Sequence, residues 1–122
     1  MSHRILAIED NPDNMKLFQW ALEDEGYDFT GVNTAEDGLL LLEQQVFDLV
    51  IMDISLPGMD GKEATGWIRA NPKLSDLPVL AATAHAVKEQ EDSIRKSGVS
   101  TIVTKPIDEE LFLETVKNLL PE

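Results

Sequence analysis

The chain has 122 residues, 43% of them hydrophobic, which fits one domain able to bury about two-thirds of its unfolded surface around a single core. Zero cysteines exclude disulfides and thiolate chemistry, two histidines argue against a His-rich zinc site, and a formal net charge of -13 argues against binding nucleic acid or an anionic membrane. No apolar run reaches the roughly 18 residues a bilayer span needs, and the N-terminus lacks a signal-peptide core, so a cytoplasmic protein is expected.

Residues 4 to 9, RILAIE, form a short apolar run with the length of a buried strand. In the DNPDNMKLFQWALEDEG that follows, Met15, Leu17, Phe18, Ala21 and Leu22 share one helical face, and Gly26 is a C-terminal stop. Trp20 falls on the opposite face, where an aromatic ring marks a contact surface. YDFTGV reads as a weaker strand, and TAEDGLLLLEQQ as a helix whose Thr34 and Asp37 resemble a capping box with Asp in place of Glu.

DLVIMD is the third strand, and GKEATGWIRAN a helix weakened by Gly66, with Trp67 expected on a core stripe beside Ala64 and Ile68. LPVLAAT is the fourth strand. VKEQEDSIRKSG is a helix ended by Gly98, whose few apolar positions, chiefly Val87 and Ile94, predict loose packing and easy movement. STIVT is the fifth strand, and DEELFLETVKNLL a helix capped by Asp108.

Strict alternation of five strands and five helices predicts an α/β fold, a (βα)5 doubly wound parallel sheet with right-handed crossovers. In such sheets ligands bind outside the carboxyl ends of the strands. Those ends carry Glu9 and Asp10, then Asp53, Thr83 and Lys105 with Pro106. In the flavodoxin-like strand order 2-1-3-4-5 they meet in one crevice.

Three crowded carboxylates disfavour their own ionisation unless a cation neutralises them, and magnesium suits hard oxygen ligands. Asp10 and Asp53 are the candidates for direct contact, the Ser55 carbonyl for a third ligand, and Glu9 for contact through water. Thr83 and Lys105 add a hydroxyl donor and a positive charge, the complement a phosphoryl group needs, and Asp53 is the candidate covalent acceptor. Singly, each residue has an ordinary reading as a turn former, a helix cap or a solvated charge.

Together, Glu9 and Asp10 in AIEDN, Asp53 in IMDISLPGMDG, Thr83 in AATA and Lys105 in TKP resemble a response-regulator receiver domain of two-component signalling. The resemblance covers essentially residues 1 to 122. It implies that Asp53 accepts a phosphoryl group from a phosphohistidine of a histidine kinase or histidine phosphotransfer protein, with Mg2+ held by the acidic residues. It further implies that Thr83 and Lys105 contact the phosphoryl oxygens and that the Lys105–Pro106 bond is cis.

A receiver is a signalling domain rather than an enzyme, although it assists its own phosphorylation and dephosphorylation. The expected output is a shifted helix 4 to helix 5 surface that controls binding of a downstream protein target, in a monomer or weak homodimer. By the same resemblance Ser55 and His85 tune the lifetime of the acyl phosphate, and Trp20 meets the phosphodonor. The wording is similar to stand-alone regulators and to receivers of hybrid kinases; a chain spanning first strand to last helix fits the stand-alone kind. Ile102 stands where many receivers carry Tyr or Phe, so a switch through Thr83 has to use other side chains.

Three rivals remain. A small aspartyl-phosphate phosphohydrolase would want a second Asp at position 55, which is Ser. A flavin module would want a phosphate-binding loop after strand one, and EDNPDN is acidic. A receiver-like module working by protein contact without phosphorylation is the third.

Overall fold

The structure, a computed structural model, describes residues 2–84 and 88–121. Strands β1 (Arg4–Ile8), β2 (Asp28–Val32), β3 (Leu49–Asp53), β4 (Val79–Thr83) and β5 (Thr101–Thr104) alternate with helices α1 (Pro12–Asp24), α2 (Ala35–Gln44), α3 (Gly61–Ala70), α4 (Lys88–Lys96) and α5 (Glu109–Leu119). All neighbouring strands pair in parallel, in the order β2-β1-β3-β4-β5, as the alternation predicts. Every residue of β3 and β4 is buried, because helices cover both faces of these central strands. β2, at an edge, has no fully buried residue.

The two faces make separate cores. On one, Ile5, Ala7, Leu49, Ile51 and Leu80 pack against α1 and α5, whose Phe18 and Phe112 rings stack with centroids 5.1 Å apart. On the other, Leu6, Ile8, Val50, Met52 and Val79 pack against Leu42 of α2 and Ala64 and Ile68 of α3. Among the described residues, side chains cap four helices: Asn11 for α1, Thr34 for α2, Asp60 for α3 and Asp108 for α5. Gly26 and Gly98, at φ 87° and 107°, make the left-handed turns that follow α1 and α4.

α4 has a single buried residue, Ile94, which packs with Ile54, Ala81, Val99 and Ile102 in a small third cluster. Val87 lies outside the described residues. α3 corrects one expectation. Its buried arc is Gly61, Ala64, Thr65 and Ile68, and Trp67 is turned out with 61% of its surface exposed. Thr65 can occupy the core side because its hydroxyl donates to the Gly61 carbonyl at 2.7 Å, leaving no unpaired donor. The arc therefore rotates away from the tryptophan.

Arg69, one turn further along α3, donates to the carbonyls of Gly98 at 2.8 Å, Leu77 at 2.7 Å and Ser75 at 3.1 Å. It also approaches Ser100 Oγ, which accepts from the Val79 amide at 3.0 Å. The segments entering β4 and β5 are thus tied to the end of α3.

Candidate functional site

Strand register decides which side chains meet. Ile8 is opposite Met52, Asp53 opposite Ala82, and Thr83 opposite Thr104, so Glu9, Asp53, Thr83 and Lys105 emerge at the same carboxyl edge of four adjacent strands. The Lys105 amide donates to the Thr83 carbonyl at 2.8 Å and the Glu9 amide to the Val32 carbonyl at 3.0 Å, fixing both residues to the sheet just past their strands. Asp53 is the last residue of β3 and only 2% exposed; it sits within the packed layer rather than outside it. The Lys105–Pro106 bond is cis, as expected.

Glu9, Asp10 and Asp53 each present a carboxylate oxygen to one point, these atoms lying within 4.8 Å of one another. Glu9 is 1% exposed, whereas Asp10 faces solvent. Lys105 Nζ stands 3.1 Å from Glu9 Oε1 and 3.2 Å from Asp53 Oδ1. The Ser55 amide donates to the same Asp53 oxygen at 3.1 Å. The Asn11 amide holds Glu9 Oε2 at 3.2 Å.

These contacts set the protonation states. Burial, and then the hydrogen bond and charge of Asp53, push the Glu9 carboxyl up to about 7. Burial pushes Asp53 upward too, but hydrogen bonds from Glu9 and the Ser55 amide, with the charge of Lys105, outweigh it and hold the carboxyl below its usual value. Burial would depress Lys105; its two carboxylate partners win and raise it. The arrangement is a buried Asp53 whose carboxyl is held low, flanked by a Glu9 whose carboxyl is held high and by the Lys105 ammonium.

A divalent cation fits this donor set. The three acids exceed the one lysine by two formal charges when ionised, and all offer hard oxygens. Glu9 Oε1 is fully buried with a charge partner but no directed hydrogen bond, the kind of orphan that a cation or its bound water would satisfy.

Thr83 is buried at the end of β4 beside this cluster. Ser55 is exposed, its amide already committed to Asp53. Ile102 is half-buried in the cluster with Ile94, so it links β5 to α4. His85 lies outside the described residues. Trp20 is apart from the acids: 68% exposed, it lines a cleft of about 430 Å3 with Asp13, Lys16, Leu17 and Glu109.

Sequence reasoning missed two contributors. Asn11, the N-cap of α1, supplies the amide that orients Glu9; the Asn-Pro step before a helix was the available signal. Gly61 opens α3 so close to β3 that a Cβ would collide with the Asp53 carbonyl oxygen and stand 2.9 Å from Ile54 Cα. Nothing local in the sequence announces that approach, because it depends on how α3 crosses the sheet.

Residues 5–117 match the family model described as the response regulator receiver domain. The polar-differentiation response regulator DivK of Brucella abortus is 38% identical over 120 residues, with 98% of each chain covered. The sensor protein GacS of Pseudomonas syringae is 40% identical over 116 residues; the match takes 93% of this chain and 13% of that protein. The receiver domain of the sensor histidine kinase PA1611 of Pseudomonas aeruginosa, solved with a magnesium ion in its active-site cleft, superposes with a TM-score of 0.90 at 28% identity, covering 98% of each chain.

Proposed function

The chain belongs to the response-regulator receiver family of two-component signalling, and on that premise we propose that Asp53 is its phosphoacceptor. Phosphorylation-dependent regulation is the general work of such domains. The observation that carries the assignment is the placement of Asp53: its carboxylate, buried at the end of β3 with Lys105 Nζ 3.2 Å away and Glu9 and Asp10 beside it, is a nucleophile at the edge of a preorganised positive charge.

A carboxylate oxygen of Asp53 attacks the phosphorus of a phosphohistidine on a kinase or phosphotransfer protein. The new O–P bond forms as the P–N bond breaks, and the electron pair returns to the donor imidazole. Lys105 Nζ, already 3.2 Å from Asp53, turns part of its charge to the phosphoryl oxygens, and the Thr83 hydroxyl donates to another. Receiver domains bind Mg2+ at an acidic pocket; here Glu9, Asp10, Asp53 and the Ser55 carbonyl would hold it. When bound, the ion neutralises carboxylate and phosphoryl charge.

Drawing Thr83 and Lys105 toward the phosphoryl group pulls the ends of β4 and β5. Ile102 and Ile94 join β5 to α4, whose one buried residue is Ile94 and whose Ser93 accepts a hydrogen bond from Lys62, so the surface from α4 to α5 is the element that moves. A downstream protein target reads that surface, in the cytoplasm. Trp20 contributes to the face that meets the phosphodonor. The chain is a switch and not an enzyme with a released product, although its own groups assist phosphoryl gain and loss.

Intact mass after incubation with a small acyl phosphate tests this reading. The wild type should gain a phosphoryl adduct that depends on Mg2+, and Asp53→Asn should gain none. No adduct in the wild type would leave the chain as a contact module that works without phosphorylation.

A further inference from the structure

We propose that the cleft between α2 and the C-terminal half of α3 docks a short amphipathic helix of a partner protein, an apolar side chain seated against Trp67 and Lys or Arg residues on either side. The cleft, about 320 Å3, is lined by Leu39 and Glu43 from α2 and by Trp67, Ala70, Asn71 and Leu74. Trp67 continues into a shallow strip with Glu63, Gly66 and Ala70, one exposed face of α3 at helical spacing. A large aromatic beside a small apolar hollow is the usual anchor of helix-in-groove recognition.

Gly66 points the same way. It sits inside α3 with no positive φ, and a Cβ there would meet nothing within 4 Å. Inside this chain the glycine therefore costs helix stability and returns nothing. Its missing side chain leaves the flank of the Trp67 ring open, where an incoming helix can come close.

Charge selects the occupant. Glu43 and Glu63 flank Trp67 from two helices, and neither is in an ion pair among the described residues. Nearby, Arg69, Lys73 and Asp76 together leave one positive charge, so with Glu43 and Glu63 the rim stays net negative. A second copy of a chain with net charge -13 would bring like charge to this rim. A helix with basic flanks would pair with both glutamates and place a cation against the indole.

The cleft lies toward the amino ends of the strands, next to the segment Leu74 to Pro78 that enters β4, whereas Asp53 ends β3 at the carboxyl edge. Docking there is independent of phosphorylation and can hold a partner continuously while Asp53 cycles.

The test uses the full chain and a labelled synthetic helix of about four turns, Leu along one stripe and Lys on both flanks, followed by fluorescence anisotropy. Saturable binding is expected, weakening at least about fivefold for Trp67→Ala and for the Glu43→Gln, Glu63→Gln double variant, and unchanged for Asp53→Asn. The same peptide with Glu for Lys should not bind. Gly66→Ala, expected to melt higher than wild type, should weaken the complex and so separates docking from folding. Equal affinity for wild type and Trp67→Ala would overturn the proposal, as would equal affinity for the acidic peptide. Sedimentation showing a dimer that Trp67→Ala dissolves would assign the face to a second copy instead, and would equally overturn it.

Discussion

Lys105 Nζ lies 3.2 Å from Asp53 Oδ1 although β4 separates their strands, so the lysine side chain crosses the end of the intervening strand to reach the acid. Its charge lies against two of the carboxylates that would hold a cation, Glu9 and Asp53. Lys105→Met should therefore have opposite effects on cation binding and on phosphorylation. The Mg2+ dissociation constant should fall at least about fivefold, since removing a unit charge a few ångströms away is worth more than about 1 kcal/mol at the effective dielectric of a protein surface. Phosphorylation by a small donor should slow. Calorimetric titration reads the first effect and adduct formation the second; an unchanged dissociation constant would count against the electrostatic account.

Glu9 gives the fold a pH dependence with a definite sign. Its carboxyl titrates at about 7 in the fold and near 4.5 when free, so the folded chain holds the proton more tightly than the unfolded chain. The stability it contributes is complete below about 4.5 and is lost as pH rises to about 7. Asp53, held low, and Lys105, held high, titrate outside that window. Denaturant unfolding of metal-free protein should show stability falling across it, and Glu9→Gln should remove this part of the slope. A wild-type slope matching that of Glu9→Gln would refute the assignment.

Two glycines of α3 should answer an alanine in opposite directions. At Gly61 the added methyl meets the Asp53 carbonyl and Ile54 backbone, so Gly61→Ala should destabilise by about 2 kcal/mol or more and displace the acceptor. At Gly66 it meets open space, and Gly66→Ala should stabilise by about 0.5 to 1 kcal/mol. Thermal melts of the two variants, side by side, check both signs.

Ser55 is exposed and its amide, not its side chain, supports Asp53. A bulky apolar side chain there should shield the acyl phosphate from water without touching the core. Ser55→Leu is expected to lengthen the lifetime of the phosphorylated form about threefold or more while stability stays within about 0.5 kcal/mol. Equal decay rates for variant and wild type would remove Ser55 from lifetime control.

Trp20, exposed on α1, should matter only to a macromolecular donor. Trp20→Ala should slow phosphoryl transfer from a histidine kinase about fivefold or more and leave transfer from a small acyl phosphate unchanged. Parallel slowing with both donors would place its effect in the acceptor site instead.

Much of this was legible in the chain. Period changes mark the ten described elements, and the carboxyl-end rule brings Glu9, Asp10, Asp53, Thr83 and Lys105 to one edge, where the structure also has them. Thr34 and Asp108 cap their helices as their spacing predicts. What was not legible depends on groups distant in sequence. Trp67 fits a stripe with Ala64 and Ile68, which are buried, but the stripe completes itself through Gly61 and Thr65 instead, and the internal hydrogen bond of Thr65 lets that smaller residue face inward. The depth of Asp53 and the close approach of Gly61 both follow from how α3 crosses β3, which hydrophobic periodicity does not encode.

The guanidinium of Arg69, bonded to Gly98, Leu77 and Ser75 carbonyls, makes the two ends of the molecule unequal in how they come apart. Separating the approaches to β4 and β5 breaks several charge-assisted bonds at once, whereas releasing α4 ahead of its closing turn at Gly98 frees one buried side chain, Ile94, and one hydrogen bond, from Lys62 to Ser93. Amide protons of α4 should therefore exchange with solvent through small, frequent openings, and those of β4 only when the whole chain unfolds. Exchange is therefore expected to be slowest in β4 and faster in α4, so that a perturbation at the acidic edge is felt first by α4 and last by the base on which the sheet is built.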